Sequence, residues 1–435
     1  MNIHVSETQL RRHKSHARRK RPPFDCIALL LQGGGALGAY QGGVYQALAE
    51  AELHPDWVAG ISIGAINSAL IAGNPPELRV DRLRSFWDAI TLKPLFGALS
   101  ARRPSVPAPP QDLSASDGTP ADHIGDLWMK VLEDTHALWG GPSFAPRGYM
   151  ARNISSQASA LIAAALGAPG MFAPRILGPW LQPPGTLEST SYYDTSDLRA
   201  TLERFVDFDR INAGEMRFSV GAVNVTSGNF VYFDNSTHTI GPEHVMASGA
   251  LPPGFPAIEI EGEYYWDGGL VSNTPLQWVL ETELRQDTIA FQVDLWNARG
   301  SFPRTMSEVE TRLKEIQYSS RTRANSNQFK QVQQIRKALG DLLSKLPEEL
   351  RSTPEYELLS PQADRKVYNL IQLIYRSKDY EGGFKDHEFS QHGMQDHWRA
   401  GYHDTIRTLR HPEVLERPTT ADGVFAFDLA IHGRE

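Results

Sequence analysis

The stretch LQGGGALG at residues 31–38, together with GISIG at residues 60–64, decides the fold of this chain. Each motif follows an apolar run, at residues 27–31 and 57–59, that predicts a buried strand, and each precedes a stretch of helical character. Strand, glycine turn and helix in succession are typical of an α/β architecture with a mainly parallel sheet. Glycines at such turns also leave backbone N–H groups free to face developing negative charge.

Ser62 lies at the centre of GISIG, the pattern of a nucleophile elbow. Gly60 and Gly64 allow the chain to turn tightly enough to lift the hydroxyl out of the sheet. The N-terminus of the following helix offers unpaired N–H groups and a positive dipole end to an oxyanion. The pentapeptide alone is equally compatible with a tight turn that carries a solvated serine.

The glycine loop has a rival interpretation, because Gly33, Gly35 and Gly38 also satisfy the dinucleotide fingerprint G-x-G-x-x-G. A nicotinamide or flavin site needs an acidic residue at the carboxyl end of the second strand. Here Asp56 precedes that strand, and its far end carries Ser62. The position of the acid therefore favours an oxyanion loop over a dinucleotide site.

A serine nucleophile needs a base, ordinarily a histidine oriented by a carboxylate. Only two strands precede Ser62, which argues against the α/β-hydrolase fold, where several come first. The downstream histidines stand in charged helical sequence and are predicted to be solvated surface residues: His387, His392, His397 and His403. Asp267, in WDGG at residues 266–269, is the better partner, although an isolated Asp-Gly pair is more often a hairpin turn.

These motifs resemble, in family order, those of the patatin-like phospholipases: a Gly-rich oxyanion loop, a G-x-S-x-G nucleophile and a later Asp-Gly-Gly. Two further stretches are similar to family signatures, residues 193–199 and residues 247–256, the second followed by Asn273. The resemblance covers about residues 24–92 and 190–300.

The resemblance implies a three-layer α/β fold with a mainly parallel central sheet flanked by helices. It also implies a catalytic dyad in which Ser62 is the nucleophile and Asp267 its base, with no histidine, cofactor or metal. The implied oxyanion loop and supporting glycines are Gly33, Gly34, Gly35 and Gly38, then Gly60 and Gly64 at the elbow, and Gly268 and Gly269 after the aspartate.

The implied reaction is hydrolysis of carboxylic esters of lipids through an acyl-enzyme, of the phospholipase A or lysophospholipase type. Leu37 departs from the pattern, because many members carry Arg or Lys at that position. Its presence puts preference for anionic head groups in doubt. An esterase of hydroxyacid polyesters and a lipid-binding or scaffolding protein without turnover stay open as alternatives.

Composition divides the chain into segments. Residues 1–23 are predicted to be a flexible basic arm, and residues 24–300 the hydrolase core. A Pro-rich and then apolar insertion at about 93–188 is interpreted as a cap over the site or as ordinary core. Residues 301–435 are predicted to be a largely helical C-terminal extension with amphipathic helices.

The 435 residues carry a net charge of −8, which gives no indication of a nucleic-acid binder. The single cysteine, Cys26, excludes an internal disulfide framework and favours a reducing compartment. No apolar run has the length that a spanning helix needs. We therefore expect a cytoplasmic protein, or one held at a membrane periphery by the basic arm. The sequence does not indicate an oligomeric state.

Overall fold

The computed structural model describes residues 21–92, 159–160, 162–281, 285–319, 322–377, 381 and 385–429. Most of the predicted basic arm and residues 93–158 of the predicted insertion lie outside the described residues.

The strands are β1 (Cys26–Leu31), β2 (Trp57–Gly60), β3 (Ala173–Pro174), β4 (Tyr193–Asp194), β5 (Arg217–Asn224), β6 (Phe230–Asp234), β7 (Ile258–Ile260), β8 (Glu263–Asp267), β9 (Thr288–Asp294), β10 (Tyr368–Ile374) and β11 (Val424–Asp428). The α-helices are α1 (Ala39–Glu50), α2 (Ile63–Ala72), α3 (Arg79–Ile90), α4 (Ser196–Phe205), α5 (Phe208–Asn212), α6 (Pro242–Ser248), α7 (Leu276–Leu280), α8 (Met306–Tyr318), α9 (Thr322–Leu343), α10 (Pro354–Leu359) and α11 (Gln391–Leu409). Short 3₁₀ turns occur at Gly35–Gly38, Pro179–Leu181, Leu187–Thr190, Gly268–Leu270, Glu348–Ser352, Ser360–Gln362, Lys385–His387 and Pro412–Leu415.

The described residues form a nine-stranded sheet in the order β11-β10-β9-β1-β2-β5-β8-β7, with β6 also paired to β5. The six strands from β11 to β5 are parallel, and Leu31 at the end of β1 is in register with Gly60 and Val293. Both faces of the parallel part are buried, and helices cover them. The predicted α/β fold with a mainly parallel sheet is confirmed.

The pairing of β5 explains how distant motifs meet. Strand β2 runs parallel to the first half of β5, with Gly60 opposite Val220, and β8 runs antiparallel to its second half, with Asp267 opposite Ala222. Strand β6 occupies the other edge of β5. The carboxyl ends of β2 and β8 therefore point toward each other along one edge.

Helices α1 and α11 pack so closely that their backbones touch. A Cβ on Gly43 would lie 1.9 Å from the carbonyl oxygen of Trp398, and one on Gly401 would lie 2.0 Å from that of Tyr40. These glycines let a helix from the C-terminal part pack against the helix that follows the glycine loop.

The C-terminal part contains the predicted helices and also extends the sheet. The strand predicted at residues 367–375 is observed as β10, and the helix predicted at residues 394–409 is observed as α11. Strand β11 was not predicted, and it pairs in parallel with β10. The sheet thus continues beyond residue 301. None of the helices that the structure describes is long and apolar enough to cross a membrane.

Candidate active site

Ser62 lies directly after β2, in the left-handed region of the backbone with φ +55°. The turn is so tightly packed that only glycine fits at position 60, because a Cβ there would lie 2.2 Å from the carbonyl oxygen of Gly64. The Ser62 N–H donates to both the carbonyl oxygen and Oγ of Ser248, each at 3.1 Å. The backbone of Ser62 is held in a conformation that residues other than glycine rarely adopt, as in a nucleophile elbow.

Asp267 ends β8 and is 3% exposed. Its carboxylate accepts a hydrogen bond from the Gly269 N–H at 2.7 Å. Burial raises the pKa of Asp267 to about 6, and the Gly269 N–H and the nearby Ser62 hydroxyl offset part of that rise. The fold thus brings Ser62 and Asp267, 205 positions apart in the sequence, into one site.

Glycines allow the aspartate turn to lie against the sheet. A Cβ on Gly268 would lie 2.6 Å from the carbonyl oxygen of Gly221, and one on Gly269 would lie 3.0 Å from Asp267 Oδ1. A side chain at either position would crowd the carboxylate or displace it from Ser62.

Asn273 joins the aspartate turn to the glycine loop, a role that sequence reasoning did not assign to it. Its Oδ1 accepts the Gly33 N–H at 3.2 Å, and its Nδ2 donates to the Gly33 carbonyl oxygen at 3.1 Å. The same Nδ2 donates to the carbonyl oxygen of Tyr318 at 2.8 Å. The one available signal was its position shortly after the aspartate motif.

The four loop glycines have different tasks. The Gly33 N–H is taken by Asn273, and a Cβ on Gly38 would lie 2.5 Å from Ile63, where the loop packs on α2. Within the part of the chain that the structure describes, the N–H groups of Gly34 and Gly35 have no acceptor. Gly35 has φ +57°, a backbone conformation that favours glycine. Gly34 and Gly35, which line the cavity, therefore have N–H groups that are free to bind a ligand there.

Ser62, Asp267 and the glycine loop line one cavity of about 360 Å³. Apolar side chains form much of its wall: Ile66, Met171, Phe172, Leu198, Met246 and Phe255. No Lys or Arg of the described residues lines it. Leu37 is fully buried and is not among the lining residues. The cavity has the volume and apolar lining of a small-molecule site.

Part of the wall comes from the C-terminal part of the chain. The turn at Lys385–His387 lies on the glycine loop, since a Cβ on Gly35 would be 2.3 Å from the carbonyl oxygen of Asp386. Lys314 Nζ lies 3.0 Å from both carboxylate oxygens of Asp386, and His387 Nδ1 lies 3.2 Å from Oδ1. The Lys314–Asp386 ion pair ties α8 to the turn, and His387 of that turn lies in the cavity wall.

The prediction that the four downstream histidines are solvated was wrong for two of them. His397 is 2% exposed, with Nε2 3.2 Å from Glu381 Oε1, because it lies on the inner face of α11. His387 is half-buried and lines the cavity. His392 and His403 are exposed, as predicted. Among the described residues no group of three His, Cys, Asp or Glu side chains is placed to hold a metal ion.

Comparison with known proteins identifies the family of this chain. A family model described as patatin-like phospholipase matches residues 29–279, and a second, described as patatin phospholipase, matches residues 316–421. Among solved structures, the crystal structure of VipD from Legionella pneumophila is similar at a TM-score of 0.34 and 15% identity, over 96% of this chain and 77% of that chain. No curated protein matches. With more than half of its length matched by the first model, the chain belongs to the patatin-like phospholipase family, a membership that supports lipid acyl hydrolase activity.

Proposed function

We propose that this protein hydrolyses carboxylic esters of lipids through a Ser62–Asp267 dyad and an acyl-enzyme intermediate. One observation carries the proposal: Ser62, in its strained turn, and the buried Asp267 carboxylate line the same apolar cavity, near enough for the hydroxyl to influence the pKa of the carboxylate. A serine hydroxyl beside a buried carboxylate is a pairing of nucleophile and base suited to acyl transfer.

In the first step Ser62 Oγ attacks the ester carbonyl carbon while Asp267 accepts the hydroxyl proton. The pKa of Asp267, raised to about 6 by burial, makes this carboxylate a better base than an ordinary one. It remains a weak base for a serine hydroxyl. Most of the barrier lowering must therefore come from the Gly34 and Gly35 N–H groups, which we assign to the tetrahedral oxyanion.

Collapse of the tetrahedral intermediate breaks the bond to the alcohol, which leaves with the proton from Asp267. The acyl group then remains esterified to Ser62. In the second step Asp267 takes a proton from water as the water oxygen attacks the acyl carbon, and collapse releases the fatty acid and returns the proton to Ser62.

The cavity favours an ester with a long acyl chain. Apolar walls suit a hydrocarbon chain, and the lack of a lining Lys or Arg among the described residues leaves no fixed cation for an anionic head group there. We therefore propose a phospholipase A or lysophospholipase type of reaction that depends on the acyl chain more than on the charge of the head group.

Fatty-acid release from lysophosphatidylcholine by the purified full chain tests the proposal. We expect Ser62→Ala and Asp267→Asn each to lower kcat/KM by about 10³-fold or more, because each removes one member of the dyad. His392→Ala, an exposed change away from the cavity, is the control. Undiminished release by Ser62→Ala would refute the dyad, and absence of release by the wild type from this and other lipid esters would favour a non-catalytic binder.

A further inference from the structure

An exposed apolar loop lies next to the cavity at residues 174–187, here called the apolar loop. Its large side chains project into solvent, with relative exposures of 101% for Ile176, 53% for Leu177, 76% for Trp180, 66% for Leu181 and 45% for Leu187. Surface apolar residues are common singly, but a group of five within twelve positions indicates an interaction site.

The outer part of this loop carries no charge. Residues 176–187 read ILGPWLQPPGTL, without Asp, Glu, Lys or Arg. The neighbouring Arg175 turns inward, where its guanidinium donates to Ser191 Oγ at 3.1 and 3.2 Å and lies 3.8 Å from an Asp194 oxygen. A partner that binds here is therefore recognised by burial of apolar surface rather than by ion pairs.

The start of the apolar loop and the segment that follows the loop are bonded to each other and to the cavity wall. The Arg175 N–H donates to the carbonyl oxygen of Tyr192 at 3.0 Å, and the Tyr192 N–H donates to that of Pro253 at 3.1 Å. Just outside the loop, the rings of Phe172 and Tyr193 pack with centroids 5.0 Å apart, and both line the cavity. Whatever the loop binds is consequently held beside the cavity.

We propose that the apolar loop docks the enzyme on an electrically neutral lipid surface, such as a zwitterionic phospholipid bilayer. This inference rests on the proposed function, because it is the continuity with an acyl-chain cavity that selects lipid as the partner. Trp180 suits the membrane–water interface, and the aliphatic side chains gain free energy when they enter the acyl region. A docked loop places substrate lipid next to Ser62 without electrostatic attraction.

The chain offers a matched control surface. Phe302, which precedes α8, and Met306, its first residue, are 88% and 74% exposed and do not line the cavity. A double change there removes a comparable amount of exposed apolar surface from a different place.

The test is co-sedimentation of the full chain with pure phosphatidylcholine vesicles. Ile176→Ser with Trp180→Ser is compared with Phe302→Ser with Met306→Ser. We expect the loop variant to partition about tenfold or more weakly than the wild type, since two large apolar side chains no longer enter the bilayer. We expect the control variant to partition like the wild type, and binding to persist in 0.5 M salt, a concentration of roughly three times the physiological value.

Hydrolysis of a soluble aryl ester measures the fraction of folded, active enzyme in each preparation. The proposal is overturned if the loop variant, normalised in this way, binds vesicles like the wild type. It is also overturned if the wild type binds only vesicles that contain anionic lipid, because the basic residues of the N-terminal arm would then account for the binding.

The Ser62→Ala variant separates this proposal from the proposed function. A Ser62→Ala protein that binds vesicles but releases no fatty acid supports both. Loss of docking by the loop variant while Ser62→Ala still hydrolyses ester would support docking and refute the dyad.

Discussion

The elbow turn at residues 60–64 and the apolar loop at residues 174–187 serve the same cavity, yet different physics determines each of them. A Cβ on Gly64 would lie 2.2 Å from the carbonyl oxygen of Leu31, whereas a Cβ on Gly185 meets no atom within 4 Å. The elbow is set by backbone packed against backbone, and the loop by what its side chains offer to a partner. The elbow therefore tolerates almost no added volume, while the loop has room for it at Gly185.

The largest difference in stability should appear when Gly64 and Gly185 are each replaced by alanine. We expect Gly64→Ala to cost more than about 4 kcal/mol, or to prevent folding, because the clash is with backbone atoms that cannot move aside. Gly185→Ala should cost only about 1 kcal/mol, from its φ of +87° in otherwise open space. Urea unfolding of both variants measures the difference. Equal costs would remove the basis of the comparison.

The next largest effect should come from the buried carboxylate of Asp267, which shares the cavity with the elbow. Burial raises the pKa of Asp267 from 3.8 to about 6, so stability is lost as the pH rises between these values, and the loss is complete above pH 6. We expect Asp267→Asn to be more stable than the wild type at pH 8 by about 2–3 kcal/mol.

The sign of that difference is open to a direct check. As the pH falls from about 6 toward 4, the wild-type carboxylate becomes protonated in the folded state and the advantage of Asp267→Asn shrinks. Thermal unfolding at pH 8, 6 and 4.5 follows this trend. If Asp267→Asn were less stable than the wild type at pH 8, burial of the ionised carboxylate would not be destabilising the folded protein.

A smaller gain is expected from relief of backbone strain at the nucleophile. Ser62 has φ +55°, which glycine adopts without steric cost. We expect Ser62→Gly to raise the free energy of unfolding by about 1 kcal/mol while it abolishes activity. Ser62→Ala is the matched control, because it also removes the hydroxyl but keeps the Cβ and hence the strain. Equal stability of the two variants would argue against strain at the elbow.

The smallest effect should come from His387, although it lines the cavity. The proposed dyad uses no histidine, so we expect His387→Gln to change kcat/KM on a soluble ester by less than about threefold. His392→Gln is the exposed comparison. If His387→Gln lost as much activity as Ser62→Ala, the base would have to be reassigned.

Sequence reasoning was most successful where local pattern determines structure. The parallel strands around the two glycine motifs follow from apolar runs and turn residues that lie close together in the chain. Family resemblance supplied what periodicity could not, the pairing of a serine motif with a distant aspartate.

The roles of residues that act through long-range contacts could not be predicted from the sequence. Asn273 bonds to Gly33, and the turn bearing Asp386 lies on Gly35, but no sequence pattern indicates either contact. His397 was misassigned because charged neighbours on one face of α11 hide the burial of the other. Strand β11 is short, and its parallel partner β10 comes about 50 residues earlier, a separation that sequence pattern does not reveal.

Reaction with a fluorophosphonate probe, with the adduct located by mass spectrometry, tests the central claim most directly. We predict that the wild type is labelled at Ser62 alone, at a rate that rises with pH through about 6 as Asp267 ionises, and that Asp267→Asn is labelled at least about 10²-fold more slowly. Labelling of another residue, or labelling of Ser62 at an undiminished rate in Asp267→Asn, would contradict the Ser62–Asp267 dyad.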